Sequence, residues 1–302
     1  MGYQRELRQE ITRRIAYMMK EAHPPWSSGH ILSDASSGFP TNVHTKYTYT
    51  GINPLLLNTA AWERGYESKW WGTYGQWRKM RCPVKPRPTS IPEGQWGVKI
   101  VQWKSVQKTV GTKIECFRQM TGSTVFNAQQ VTGPSVMDYR VTLKEEVSRL
   151  DADYGAVDGF IDTTKATIEH GHETPIYNRL PDDYIGMPDR EKFLGNDPQY
   201  YAALFHEVFH WTEWRTGWTG TAALGELIAE IGTGLIETEL GLPHCEDMTN
   251  HNKYLDEWLL EMESNPKYIF DAATQASRSL DFLLSFVQPR QVEAEPKGAY
   301  LE

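Results

Sequence analysis

Within HEVFHWTEW, His206 and His210 stand four residues apart and Glu207 directly follows the first. Four residues make just over one helical turn, so on a helix the two imidazoles point the same way and can hold one ion in adjacent tetrahedral positions. Glu207 then sits one residue round the helix, near the ion without ligating it. Zinc-dependent hydrolysis needs this arrangement: the ion acidifies a water and polarises a carbonyl, while the glutamate takes the proton and passes it to the leaving group.

A third ligand must come from elsewhere. The run HEVFHWTEWRT has Glu213 and Thr216 where a longer three-histidine motif would place glycine and histidine, which excludes that arrangement. GELIAEIG instead supplies Glu226 and Glu230, one turn apart on the next predicted helix. One of them would bind the ion, and the other would accept a hydrogen bond from a ligand imidazole and fix its tautomer. Spacing favours Glu226 as ligand and Glu230 behind it, with the reverse also open. Tyr177, Tyr184, His244, His251 and Tyr254 are candidates to stabilise an oxyanion, with His251 and Tyr254 as the catalytic candidates among them.

These side chains need helices to aim them. Asn196-Asp197-Pro198 precedes the motif, and Asp197-Pro198 is expected to cap the motif helix, whose apolar stripe is Leu204, Val208 and Trp211. Further helices are expected near 221–240, closed by Gly241, at 251–263, capped by Asn250, and at 266–286, started by Asn265-Pro266. IYNRLPDDYIGMP reads as extended chain broken by prolines, an edge along which a peptide could lie. Earlier in the chain, residues 3–21 form an amphipathic helix. Asn53 and Pro54 are expected to cap and open a second, running to about Arg64, and Thr73 with Gln76 forms a capping box. VKIVQW and TVFNAQQV read as strands, and CPVKPRPTSIPEG carries too many prolines to be anything but a loop.

Charge is unevenly shared between the halves. Residues 1–135 carry 18 Lys and Arg against 8 Asp and Glu, and the remainder 13 against 31. A basic, tryptophan-rich half suits single-stranded nucleic acid, whose bases stack on aromatic rings while lysines and arginines meet the phosphates. The densest such cluster is Trp70, Trp71, Tyr74, Trp77, Lys79, Arg81, Lys85 and Arg87. Cys82, Cys116 and Cys245 are odd in number and widely spaced, which suits reduced thiols in a bacterial cytosol rather than a disulfide scaffold. No run has the length and apolarity of a signal peptide or membrane span, so a cytoplasmic protein is expected.

Taken in order along the chain, YTGINPLLL, ERGYESKWWGTYGQW, VKIVQWK, VFNAQQVTG, YNRLPDDYIGMP, YYAALFHEVFHWT, GELIAEIGTGLIETELG and NHNKYLDEWL resemble the ArdC-like antirestriction proteins of plasmids and phages. That resemblance implies an α+β chain of two domains. Residues 1–138 would form a small mixed α/β domain that binds single-stranded DNA. Residues 139–288 would form a mainly helical zincin-like metallopeptidase domain with a small sheet, and 289–302 a frayed tail. It also implies His206, His210 and Glu226 as zinc ligands with Glu207 as general base. The chain departs from the family in having Glu213-Trp214 where Gly-His usually follows HWT, and VKPRPTSIPEGQW in place of a basic glycine-containing turn. Two readings remain open: a peptidase acting on a host protein or peptide, and a DNA-protecting protein whose zinc is structural.

Overall fold

The computed structural model describes residues 2–27, 38–110, 113–139, 153–245 and 249–287. The expected tail at 289–302 lies outside the described residues, as do residues 140–152, just past the expected domain boundary at 138–139. The architecture is α+β and has two parts, an N-terminal mixed α/β domain and a mainly helical C-terminal region.

The first part begins with α1 (Gly2–Lys20), followed by β1 (Thr41–Asn42), α2 (Asn53–Arg64), β2 (Trp70–Thr73) and α3 (Tyr74–Lys79). Two long strands, β3 (Val98–Val110) and β4 (Lys113–Asn127), complete it. The sheet order is β1-β2-β4-β3, with β1 and β2 parallel and the other pairs antiparallel. β3 and β4 pair from Val98 opposite Val125 out to Val110 opposite Lys113, a ribbon that continues well past the other strands. The capping box at Thr73 and Gln76 forms as the sequence indicates.

Two expectations about element ends are corrected here. Asn53 does not cap α2; Ile52 occupies that position, while the Asn53 amide donates to Val101 O at 2.9 Å and accepts from Val101 N at 2.8 Å. Its side chain therefore fastens α2 to β3. Likewise β4 stops at Asn127, because Asn127 and Gln130 form a reciprocal cap that turns AQQ into a 3-10 turn.

The second part comprises α4 (Tyr154–Thr164), β5 (Thr167–His170), β6 (Ile176–Asn178), β7 (Tyr184–Met187), α5 (Asp197–Arg215), α6 (Ala222–Leu240), α7 (Thr249–Ser264) and α8 (Tyr268–Leu284). Its small sheet has the order β5-β7-β6, so β6, within IYNRLPDDYIGMP, is an edge strand. Asn196 rather than Asp197 caps α5, its side chain accepting from Gln199 N, and Asp197 and Pro198 fill the first turn. Gly241 closes α6 in a left-handed conformation, as expected. Asn250 falls inside α7 rather than at its cap, and Asn265 accepts from Lys267 N just ahead of α8.

The main core does not respect the division of the chain. Leu7, Ile11, Ile15 and Met19 of α1 share one apolar cluster with Phe205, Phe209, Ile231, Trp258, Ile269 and Leu280. Thr12 Oγ1 donates to Pro266 O at 3.0 Å, and Gly51 N donates to Ser277 Oγ at 2.8 Å. The sheet of the first part has its own smaller clusters around Trp71 and Trp77.

Candidate metal centre and aromatic-basic surface

Helices α5 and α6 run back to back, and one missing side chain sets how close they come. A Cβ at Gly232 would sit 2.2 Å from the Phe209 ring, so only glycine lets that ring lie against α6. The apolar residues of α5, Leu204, Phe205, Val208, Phe209 and Trp211, are buried, which turns His206, Glu207 and His210 toward a cleft of about 990 Å³. Glu226 and Glu230 face the same cleft from α6.

His206 Nε2 lies 3.2 Å from His210 Nε2 and 3.3 Å from Glu226 Oε2, and His210 Nε2 lies 3.7 Å from Glu226 Oε1. A tetrahedral ion with ligand bonds of 2.0–2.1 Å has ligand-to-ligand edges of about 3.3–3.4 Å, so these three residues fit a divalent cation. The field agrees with the geometry. Burial works against a charged His206, yet Glu226, Glu230 and Glu207 more than offset it and hold the imidazolium above its ordinary range, as in a pocket that favours positive charge.

The expected companion carboxylate is placed differently. Glu230 Oε1 stands 3.9 Å from His206 Nδ1, beyond hydrogen-bond distance. The close partner is Glu213, whose Oε1 accepts from His210 Nδ1 at 2.8 Å and whose Oε2 meets Arg179 Nη2 at 2.5 Å. Glu213 was legible only as a residue three positions after a ligand; its link to Arg179 needs the fold.

Among the oxyanion candidates, Tyr177, His244 and Tyr254 line the cleft, and Lys253 Nζ lies 4.6 Å from the Tyr254 ring centre. His251 does not reach the cleft. It is 2% exposed, its ring lies between Trp26 and Trp258, and burial holds it below the ordinary histidine range, so it cannot act as expected. The Tyr177 hydroxyl is already engaged with Asp183 and Trp214, Tyr184 packs against His172, and His244 pairs with the buried Glu237. Trp26, from the segment after α1, closes part of the cleft; its carbonyl lies against Gly234, where a Cβ would meet it at 2.1 Å.

The aromatic-basic cluster of the first part divides. Trp71 and Trp77 are fully buried, and Trp77 Nε1 donates to Phe126 O at 2.9 Å, so neither offers a face for stacking. Lys85 Nζ is held by Gln129 O, and Arg87 bonds Ile91 O. Tyr74, Lys79, Arg81 and Arg87 are exposed. Trp70 is half-buried, with Lys46 Nζ 4.4 Å and Lys69 Nζ 5.2 Å from its ring, and Lys46 also lies 4.7 Å from the Tyr139 ring. Burial and repulsion from Lys69 pull Lys46 below the ordinary lysine range. Lys46 and Tyr139 lie far from Trp70 in the chain and were not legible, whereas Lys69 directly precedes Trp70 and could have been included from the sequence.

Comparison with known proteins matches residues 5–144 to the N-terminal domain of anti-restriction factor ArdC and residues 155–275 to a zincin-like metallopeptidase domain. The chain belongs to the ArdC-like family. The ArdC-like fold is also seen in the crystal structure of the antirestriction ArdC protein from plasmid R388 in its metal-free form. That protein is 28% identical, with a TM-score of 0.75 over 94% of this chain and 99% of that one. Its Mn(II)-bound structure gives 29% identity and a TM-score of 0.72 over 93% and 98%. Curated relatives include the Escherichia coli DNA primase TraC, 27% identical over 97% of this chain, and the uncharacterised protein y4eC of Sinorhizobium fredii, 29% identical over 81%. This ArdC-like chain spans 28% of the length of TraC and 80% of that of y4eC. Among the described residues, no helix is long and apolar enough to cross a membrane.

Proposed function

We propose that the chain is an antirestriction-type protein of a mobile element, which holds single-stranded DNA through residues 1–138 and carries a zinc-dependent peptidase site within residues 139–288. The observation that carries the peptidase reading is that His206, His210 and Glu226, at tetrahedral spacing, open onto a cleft that Glu207 also lines. A purely structural zinc site is closed by four protein ligands and has no use for a base beside it. When bound, the ion would supply Lewis-acid activation of water and of a peptide carbonyl. Glu207 would take the water's proton and return it to the departing amine. Tyr254, which also lines the cleft, would donate toward the developing oxyanion. Edge strand β6 would hold an extended peptide of a host protein by main-chain hydrogen bonds.

For DNA, the reading rests on Trp70 with Lys46, Lys69 and Tyr139, and adds the exposed Tyr74, Lys79, Arg81 and Arg87. The two ammonium groups close together over an aromatic pair suit a phosphate and a stacked base.

The deciding experiment incubates the full chain and Glu207→Gln with a host extract, with and without single-stranded DNA, and compares the peptides released. Cleavage products made by the native chain and missing with Glu207→Gln, at equal zinc content, are expected. Indistinguishable peptide profiles would return the site to the alternative, in which the chain shelters DNA and the zinc only stabilises the fold.

A further inference from the structure

Glu213 is only 7% exposed at its side chain, and a buried carboxylate is costly unless both oxygens are engaged. Here they are: Oε1 holds His210 Nδ1 at 2.8 Å and Oε2 holds Arg179 Nη2 at 2.5 Å. Helix α6 leaves room for this carboxylate at Gly225, where a Cβ would lie 3.0 Å from Glu213 Oε1. Arg179 directly follows β6, and the two residues after Glu213 make parallel connections. Trp214 Nε1 donates to Tyr177 Oη at 3.1 Å, and Arg215 Nη2 donates to Asp183 Oδ2 at 2.5 Å. Three consecutive residues at the end of the ligand helix thus each bond the β6–β7 hairpin.

We infer that Glu213 is a positioning residue for His210, held in place by Arg179, so that the strand bordering the cleft helps set the metal geometry. The inference rests on the reading of His206, His210 and Glu226 as ligands. Since His210 turns Nε2 toward the other two, its Nδ1–H needs an acceptor that fixes tautomer and ring orientation, and a carboxylate there also makes the imidazole a better donor to the ion.

The test uses the full chain loaded with Co(II), whose visible absorption band reports ligand geometry, together with affinity from chelator competition and a thermal melt. Glu213→Ala is expected to weaken Co(II) binding by about 10- to 100-fold and to alter the band. Glu213→Gln, which keeps an oxygen acceptor, should restore the band shape and most of the affinity. Arg179→Met changes a side chain that is 68% exposed, so it leaves the core intact, and should weaken binding in the same direction by less. If Glu213→Ala does not fold, Arg179→Met decides alone. Native affinity and an unchanged band in the folded variants would overturn the positioning role while leaving the ligand assignment standing. A native chain that binds no Co(II) would overturn both.

Discussion

The helix pair α5–α6 and the strand-helix unit β2–α3 each gather side chains suited to binding, and each packs part of itself into a core. On α5 and α6 the apolar residues take the core, leaving histidines and glutamates along one cleft. In β2–α3 the aromatic residues, which would be the binding elements, are themselves the core: Trp71 and Trp77 are interior, and only Trp70 and Tyr74 keep a face toward the surface. Polar ligands and apolar packing residues are chemically distinct, so a metal site can be told apart from its scaffold. A stacking platform uses the same residue types as a core and cannot be told apart by composition.

The sharpest break between the two regions would come from His210→Ala, which should remove bound zinc, measured as metal per chain, while leaving DNA affinity in place. Zinc content unchanged in that variant would sink the ligand assignment. Next in size is Trp77→Ala, expected to cost about 3–5 kcal/mol of stability in a denaturant melt, whereas Trp70→Ala should cost less stability but weaken single-stranded DNA binding by about 1–3 kcal/mol. If Trp77→Ala instead impaired DNA binding with an unchanged melt, the division drawn between core and surface tryptophans would be wrong. Replacing Lys46 and Lys69 by alanine should flatten the salt dependence of DNA binding, by roughly 0.7 in slope for each phosphate no longer neutralised; a slope equal to that of the native chain would remove them from the interface.

The smallest effect concerns Asp183. Burial alone would raise its pKa, but hydrogen bonds from Arg215 and Tyr177 hold it below its ordinary 3.8. A lowered folded pKa gives stability that is present above the unfolded value and lost as pH falls through the folded one. Melts between about pH 5 and about pH 3 should therefore show the native chain losing more stability than Asp183→Asn, and parallel curves would show that this ion pair contributes nothing measurable.

How much could be read from sequence depended on how far away each residue's partner lies. His206 and His210 were legible because helical spacing alone points them the same way, and it put Glu226 and Glu230 on one face of the next helix, but which of the two joins the histidines needed the fold. Asn53 looked like a helix cap and is not one, because its amide found a better pair of partners on Val101, 48 residues away. The adjacent Trp70 and Trp71 fall on opposite faces of β2, a strand not expected from the sequence, so nothing there said that one of them would turn inward. His251 and Glu213 show the same limit from opposite sides. The first looked catalytic and lies sealed between two tryptophans, and the second had no assigned role and touches a ligand.

The lodging of α1 among α7 and α8 has a practical consequence for anyone dividing this chain. Its covalent neighbours are those of the N-terminal match, while much of its apolar face completes the core of the zincin-like side. A gene fragment cut at the border between the two matches would strip Leu7, Ile11, Ile15 and Met19 from one product and leave them bare on the other. The two domains are thus tied by a shared wall, and a recombination event that moved either one alone would have to carry this helix or replace it.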